Sequence, residues 1–242
     1  CAGGTHAISE AADLVASGRL DVAVAGGTQG PIDDVLMASY RNLRVLSPSG
    51  WVRPFDRRRD GFVFAEGAAA MVLEPLDAAV ARGARIYAEV LGSGHTNDAA
   101  SLVSPSGSGA VECIAEALDD AELRPDEVAA INAHGTGTLV NDRREAEAIG
   151  EVFGATAPPV SSIKRTLGHA AGASGAFEAV AAALTVHHGL VPTLGDDVEV
   201  DPEIDLDLVV GPSARAIEPG PVLSNSFGLG GHNGCIVVGP VR

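Results

Sequence analysis

Short apolar strands alternate with helical segments along most of this chain, and that alternation constrains its fold more than any other feature. Residues 22–25 form an apolar run that ends in two glycines, and residues 128–131 form a similar run shortly before His134. Uninterrupted runs of this kind are typical of strands that a sheet buries on both faces. Helical spacing of apolar residues precedes the first run, over residues 2–17, and a predicted helix over residues 142–153 follows the second. The sequence therefore predicts a layered α/β fold.

The charge balance argues against two classes of partner. The 242 residues include 32 acidic and 16 basic side chains, which gives a net charge of -16 at pH 7. Such a surface repels nucleic acid and anionic membranes. No apolar run approaches the roughly 18 residues of a membrane-spanning helix, and no signal-peptide pattern opens the chain. We therefore predict a cytoplasmic protein with no nucleic-acid or membrane partner.

The three cysteines are odd in number and lack a CxxC spacing, which argues against a disulfide framework or a zinc cluster. Cys113 falls on the apolar face of a predicted helix and Cys235 in a predicted strand, so both are interpreted as small buried residues. Cys1 differs because it stands at the head of a predicted helix, where unpaired N–H groups and the helix dipole favour a thiolate. Cys1 is a candidate nucleophile; the alternative is a buried cysteine or simply a chain end.

Two histidines follow predicted strands in glycine-rich loops. His134 opens the segment HGTGT, and His169 lies in the segment GHAAG, five residues after Lys164. In open α/β sheets, ligand sites gather at the carboxyl ends of the strands, so both side chains are candidate site residues. A cysteine with two histidines is compatible with a protease-like thiolate pair, a metal site or acyl transfer with an oxyanion to stabilise. Zinc is disfavoured because no pair has the short spacing of zinc ligands, and no metal is predicted.

A glycine-rich loop near the end of the chain offers several adjacent backbone N–H groups. It reads NSFGLGG over residues 225–231. Clustered N–H groups of this kind are how an oxyanion hole is built, and a phosphate cradle is the alternative. Neither GxxxxGK[ST] nor a GxGxxG after an opening strand occurs, so the oxyanion hole is favoured.

In their order along the chain, these segments resemble the C-terminal part of a β-ketoacyl-acyl carrier protein synthase, a condensing enzyme of the thiolase-fold superfamily. The resemblance covers essentially all 242 residues. Each segment alone is weak, but the ordered set is highly specific. The segments are CAGGT at 1–5, AGGT at 25–28, RPFD at 53–56, DG at 60–61, EG at 66–67, HGTGT at 134–138, ND at 141–142, Lys164, GHAAG at 168–172 and NSFGLGG at 225–231.

The resemblance implies a thiolase-like αβαβα fold and a reaction that forms a carbon–carbon bond. Cys1 would take an acyl group from acyl carrier protein as a thioester, and malonyl-acyl carrier protein would then lose carbon dioxide to give the attacking enolate. His134 and His169 would bind the malonyl thioester carbonyl and stabilise that enolate. Lys164 would hold the His169 region and the local charge balance. Substrates would arrive on the phosphopantetheine of acyl carrier protein, with no tightly bound cofactor.

The resemblance also assigns supporting and gating positions. Asp142 and Glu178 match structural or supporting residues of the family. Phe227 and Leu229 match its glycine-rich gate, and the backbone N–H groups of Leu229 and Cys1 would form the oxyanion hole. The family commonly has a second phenylalanine where this chain has Leu229, so we expect the pocket to be gated differently.

The resemblance starts in the middle of the family pattern, since a substantial N-terminal portion normally precedes the nucleophile. Residues 1–85 then match the remainder of an N-terminal thiolase-like half, and residues 86–242 the C-terminal half. Strands without their neighbours would expose backbone and apolar area, so we predict a companion polypeptide and a dimer or heteromer with a second ketosynthase-like subunit. The companion would arise by self-cleavage before Cys1, from a split gene, or as part of one longer chain.

Three alternatives stand beside a ketosynthase subunit of fatty acid or polyketide synthesis. A non-condensing partner of the chain-length-factor kind is opposed by the presence of Cys1, His134 and His169. An amidohydrolase with an N-terminal cysteine would hydrolyse amides without acyl carrier protein. A thiolase or starter-unit synthase acting on coenzyme A thioesters has asparagine in place of the second histidine in some branches, so His169 favours the carrier-protein type.

Overall fold

The structure is a computed structural model that describes residues 1–101 and 106–241. Its helices are Gly3–Ala16 (α1), Asp34–Asn42 (α2), Leu76–Ala81 (α3), Ser108–Asp120 (α4), Leu139–Phe153 (α5), Lys164–Leu167 (α6) and Ser174–His188 (α7). Its strands are Ala23–Gln29 (β1), Gly67–Leu73 (β2), Glu89–Asn97 (β3), Ala130–Asn132 (β4), Val160–Ser161 (β5), Leu190–Val191 (β6), Arg215–Ala216 (β7), Val222–Phe227 (β8) and His232–Gly239 (β9). They form a five-stranded sheet in the order β3-β9-β8-β4-β5 and the two-stranded sheets β1-β2 and β6-β7.

Four stacked layers make up the described part of the chain. Helices α4 and α5 cover one face of the five-stranded sheet, and α1 and α7 cover the other. The sheet β1-β2 packs on the far side of α1 and α7. Successive side chains of β8 point to opposite faces of the sheet. Leu223 packs in the apolar cluster with α4 and α5, and Val222 packs in the cluster with α1 and α7. The predicted layered α/β fold is confirmed.

Small residues let the two central helices approach each other closely. A Cβ on Gly4 of α1 would lie 2.5 Å from the backbone N of Ala176, and one on Gly175 of α7 would lie 2.3 Å from the Thr5 hydroxyl. No side chain fits at either position, so glycine is required by space. This close packing fixes the first turn of α1, which directly follows Cys1, against α7.

The two-stranded sheet has one covered face and one open face. Its strands are antiparallel, with Val24 of β1 directly opposite Val72 of β2. Both valines point away from α1 and α7, and they are 73% and 62% exposed. Two further residues of this face, Ala68 and Ala70, are exposed beside them, and both are small and apolar. The open face is therefore an apolar surface rather than a polar one.

The sheet topology brings three loops to one edge. Strand β4 pairs in parallel with both β5 and β8. The carboxyl ends of parallel strands lie at the same edge, so the segments that follow these strands meet there. Those segments contain residues 133–138, 162–169 and 228–231.

Some features were not predicted. Helix α2 was not predicted and has no buried residue; Asp33 begins it by accepting a hydrogen bond from the Leu36 N–H at 2.8 Å. The sequence pattern at residues 87–92 is typical of a strand, and strand β3 begins later and extends further than that segment. The polar, glycine- and serine-rich composition of residues 97–108 predicts a loop, of which residues 102–105 lie outside the described residues. Within the described ranges, no helix is both long and apolar enough to cross a bilayer.

Candidate active site

A cavity of about 370 Å³ opens at the edge where the parallel strands end. Five of the eight predicted site residues line it, and these are Cys1, His134, His169, Phe227 and Leu229. The other three, Lys164, Asp142 and Glu178, are buried behind the cavity. The structure thus brings the nucleophile candidate and both histidines to one chamber, although 133 positions separate Cys1 from His134 in the sequence.

Cys1 lies beside the glycine-rich loop at the start of α1. A Cβ on Gly228 would lie 2.9 Å from the Cys1 backbone N, so this position of the loop requires glycine for close approach. The loop turns tightly, since the Gly228 N–H donates to the His232 carbonyl at 2.7 Å and the Gly231 N–H donates to the Gly228 carbonyl at 3.2 Å. This turn places Leu229 in the wall of the cavity that also contains Cys1.

The His134 ring is fixed by the Lys164 ammonium. Lys164 Nζ lies 3.1 Å from His134 Nδ1 and 2.7 Å from the His134 carbonyl oxygen, and it forms a buried ion pair with Glu178. An ammonium has three donors and no acceptor, so Nδ1 must accept and the proton of the neutral ring resides on Nε2. Burial, and then the charge of Lys164, hold the pKa of His134 well below its ordinary value. The ring is therefore neutral and offers an Nε2–H donor.

His169 is anchored through its backbone and its ring. Its N–H donates to the Val63 carbonyl at 2.8 Å, and its carbonyl accepts from the Ala65 N–H at 3.0 Å. His169 Nδ1 lies 2.8 Å from the Ser174 hydroxyl, which leaves Nε2 as the nitrogen available to a substrate. Burial lowers the pKa of His169 well below its ordinary value, and Lys164 acts in the same direction. The His134 and His169 rings are nearly perpendicular, with centroids 5.4 Å apart.

Lys164 has a different partner from the one predicted. The resemblance implies that Lys164 holds the His169 region, but its hydrogen bonds go to His134 and Glu178. The reason is that Lys164 begins α6 directly after β5, which is the neighbour of the strand that leads to His134. Burial raises the pKa of Glu178, and the adjacent ammonium opposes that rise.

Two buried carboxylates hold the HGTGT segment from helix α5. Glu145 accepts the N–H groups of His134 at 2.7 Å and of Gly135 at 2.8 Å. Asp142, which was predicted as a supporting residue, accepts the N–H groups of Phe55 at 2.8 Å and of Gly137 at 3.1 Å. Burial raises the pKa of Glu145 to about 7. The segment therefore depends on acceptors from α5 and not on a strand ladder.

Sequence reasoning missed Glu145, Ser174 and the polar side chains of β8. Glu145 had a signal, because it follows Asp142 by three positions and so lies on the same face of the helix. The β8 residues had none, since their partners are distant in sequence, whereas Ser174 lies only five positions after its partner His169. The aromatic wall was also missed: the Phe62 ring lies 4.7 Å from the His169 ring, centroid to centroid.

The geometry favours one of the three chemistries left open by the sequence. A metal site is not supported, because no group of three His, Cys, Asp or Glu side chains within the described residues is arranged to hold an ion. A protease-like pair with His134 is not supported, because the imidazole would have to accept the thiol proton and His134 Nε2 already carries a proton. A nucleophile beside two neutral imidazoles instead fits acyl transfer, in which N–H donors stabilise a developing oxyanion.

Family models match both parts of the chain. Residues 1–79 match the N-terminal domain of β-ketoacyl synthases, and residues 87–196 match their C-terminal domain. The chain is 42% identical over 245 residues to the 3-oxoacyl-[acyl-carrier-protein] synthase 2 of Staphylococcus aureus (strain COL). That match includes 98% of this chain and 59% of the relative, so the chain spans about three fifths of the length of the curated relative.

Solved structures agree with the sequence matches. The ishigamide ketosynthase/chain length factor superposes with a TM-score of 0.95 at 38% identity, over 100% of this chain and 59% of the solved chain. A ketosynthase bound to the hexaketide, in complex with its type II polyketide synthase acyl-carrier protein, also gives a TM-score of 0.95, at 34% identity over 100% and 61%. The predicted thiolase-like ketosynthase fold is confirmed. The chain belongs to the β-ketoacyl synthase family.

Proposed function

We propose that this chain is the nucleophile-bearing part of a β-ketoacyl-acyl carrier protein synthase of fatty acid or polyketide synthesis. It would catalyse the decarboxylative Claisen condensation of a cysteine-bound acyl group with malonyl-acyl carrier protein. The observation that carries the proposal is the single cavity that contains Cys1, His169 and a His134 ring whose N–H donor is fixed by Lys164.

The first half-reaction uses Cys1. Its thiolate attacks the thioester carbonyl of an acyl group on the phosphopantetheine of acyl carrier protein, and a tetrahedral oxyanion forms. The backbone N–H groups of Cys1 and Leu229 are the proposed donors to that oxyanion. Collapse of the intermediate expels the phosphopantetheine thiolate and leaves the acyl group on the Cys1 sulfur. The position before the first turn of α1 favours the thiolate that starts the step.

The second half-reaction uses the two histidines. Their Nε2–H groups donate to the thioester oxygen of malonyl-acyl carrier protein, which for His169 requires that the Ser174 hydroxyl donate to Nδ1. The bond between the α-carbon and the carboxylate breaks, carbon dioxide leaves, and the electron pair becomes an enolate that the two donors stabilise. The enolate carbon attacks the acyl-Cys1 carbonyl, the new carbon–carbon bond forms, and Cys1 leaves as a thiolate. Low pKa values suit this role, because each ring stays neutral near pH 7.

The similar proteins support carrier-protein substrates. The Staphylococcus aureus relative is named for action on acyl-carrier protein, and one of the similar ketosynthases is in complex with an acyl-carrier protein. We propose substrates of the same kind here, with no tightly bound cofactor. The cytoplasmic location predicted from the sequence stays a prediction.

We propose a companion polypeptide that covers the open face of β1-β2. This face exposes Val24 and Val72, and β1 has no strand on its other edge within the described residues. About two fifths of the length of the Staphylococcus aureus relative lies outside its match to this chain. Residues 1–85 and 86–242 would then be parts of the two thiolase-like halves. One similar structure is a ketosynthase/chain length factor, and we propose a dimer or heteromer with a second ketosynthase-like subunit.

Intact-mass spectrometry of the native protein with its natural companions tests the function. After incubation with acyl-loaded acyl carrier protein, the 24.4 kDa chain is expected to gain the acyl mass. The gain should vanish in Cys1→Ala and persist in Cys113→Ala, a matched control in which a buried thiol is removed. An unmodified chain beside its companion would contradict the proposal and favour the non-condensing partner or the amidohydrolase.

A further inference from the structure

We propose that Ser226 and Asn225, two consecutive residues of β8, are positioning residues that fix His134 from opposite sides. The proposal rests on the proposed function only for its catalytic consequence, since the geometry is independent of the reaction. Successive side chains of a strand point to opposite faces, so one strand can support both the ring and the backbone of the same histidine.

Ser226 supports the His134 ring through the ion pair between Glu178 and Lys164. Its hydroxyl donates to Glu178 Oε2 at 3.0 Å, while the other carboxylate oxygen of Glu178 contacts Lys164. Lys164 in turn donates to His134 Nδ1 at 3.1 Å. All of these side chains are at most 2% exposed, so no bulk water competes for the donors. Ser226 thus acts on the tautomer of His134 through two intermediate groups.

The series of hydrogen bonds that links His134 to Ser226 also reaches helix α1, which follows Cys1. Thr5 Oγ1 lies 2.8 Å from Ser226 Oγ. Ser226 has one hydroxyl proton, and an ionised carboxylate can only accept, so that proton goes to Glu178 and Thr5 must donate to Ser226. The order of donation is therefore Thr5 to Ser226 to Glu178, with Lys164 donating to Glu178 from the other side.

Asn225 supports the backbone of His134. Its Nδ2 donates to Glu145 Oε1 at 3.2 Å, and the same oxygen accepts the His134 N–H at 2.7 Å. The orientation of the amide is set by Cys235, its cross-strand partner, whose thiol donates to Asn225 Oδ1 at 3.3 Å. Because Oδ1 is occupied by the thiol, Nδ2 faces the carboxylate.

Ser226→Ala is the main test, and Ser224→Ala is its matched control. Ser224 is also buried and lies on the same face of the same strand. It accepts from Asn132 Nδ2 at 3.2 Å and is not part of the hydrogen-bonded series that links Ser226 to His134. The first readout is the pair of ¹⁵N chemical shifts of the His134 ring in native protein labelled with ¹⁵N-histidine. In Ser226→Ala we expect Nδ1 to move towards the protonated type, because a weakened Glu178–Lys164 pair holds the Nε2–H tautomer less firmly. Ser224→Ala should leave both shifts unchanged.

The second readout separates the two half-reactions. Ser226→Ala should lower kcat for decarboxylation of malonyl-acyl carrier protein by about tenfold or more, with little change in KM or in acyl loading of Cys1. Thr5→Val removes a hydroxyl without changing the shape of the side chain, and it should lower kcat by a smaller factor. Thr5→Ser, which keeps the hydroxyl, should restore kcat.

The outcomes separate the positioning role from the proposed function. Unchanged ring shifts in Ser226→Ala would overturn the positioning role, whatever the activity. The His134 ring shifts could move in Ser226→Ala while the wild-type protein does not decarboxylate malonyl-acyl carrier protein. That result would support the positioning role and count against the proposed function. If Ser226→Ala fails to fold, Thr5→Val carries the same shift test.

Discussion

The five-stranded sheet and the sheet β1-β2 are built from similarly apolar strands but are covered very differently. All of β8 is buried, as is β9 apart from its first residue. In β1 only Ala25 is buried, and no residue of β2 is. The five-stranded sheet has helices on both faces, whereas β1-β2 has them on one face within the described residues.

The difference shows which parts of the site the chain positions by itself. Both histidines and their supporting residues lie at the edge of the covered sheet, and each is held by groups of this chain. Cys1 lies at the boundary instead, because α1 is packed between the covered sheet and β1-β2. The positions of the two histidines are thus independent of the open face, and the position of Cys1, the proposed nucleophile, is not.

The largest loss of stability should come from breaking the buried ion pair in the covered part. Glu178→Ala leaves the Lys164 ammonium buried without its counter-ion, which should lower the free energy of unfolding by about 3–5 kcal/mol. Urea denaturation measures the change. Glu147→Ala is the control, since that carboxylate is 47% exposed and pairs with two arginines of α5, and it should cost less than about 1 kcal/mol. Equal losses of unfolding free energy in Glu178→Ala and Glu147→Ala would mean that the covered part is open to water.

A core truncation in the same sheet should cost slightly less. Leu223 of β8 is fully buried against α4 and α5, so Leu223→Ala should lower the free energy of unfolding by about 2–5 kcal/mol through lost burial and a new cavity. Leu139→Ala removes the same atoms at a position that is 60% exposed, and it should change stability by less than about 0.5 kcal/mol. A small effect of Leu223→Ala would contradict the packing of the covered sheet.

The buried Glu145 should make the covered part sensitive to pH. Burial raises its pKa to about 7 in the folded protein, above the ordinary value of 4.5. The unfolded chain therefore releases this proton first as pH rises, and the contribution of Glu145 to stability falls between about pH 4.5 and 7, by up to roughly 3 kcal/mol.

Denaturation at several pH values tests this dependence against Glu145→Gln. The amide cannot titrate, so the variant should lose stability overall, because one backbone N–H loses its acceptor, but it should show a flatter dependence on pH over that range. An equally steep dependence in the variant would assign the effect to other groups.

The fold, and the candidate residues Cys1, His134 and His169 that line one cavity, could be predicted from the sequence because both leave local patterns. Apolar runs marked the buried strands, and glycine-rich loops marked the strand ends where His134 and His169 lie. The partner of Lys164 could not be predicted, since it depends on the order of β4 and β5 in the sheet. Ser226 was missed for a related reason, because its partners Thr5 and Glu178 are distant in sequence. The local pattern of β1 and β2 likewise does not say which face of that sheet stays uncovered.

The smallest effect should come from the open face itself. Val24→Ser replaces an apolar side chain that is 73% exposed, so the free energy of unfolding of the chain should change by less than about 0.5 kcal/mol. Ala25→Ser, one position along on the covered face, places a hydroxyl among α1 and α7 and should cost about 1–3 kcal/mol. If the two variants cost the same, Val24 is packed within the chain and the face needs no companion. If only Ala25→Ser destabilises the chain, the apolar area around Val24 and Val72 contributes nothing to this fold alone, and a partner surface is the remaining physical reason for keeping it apolar.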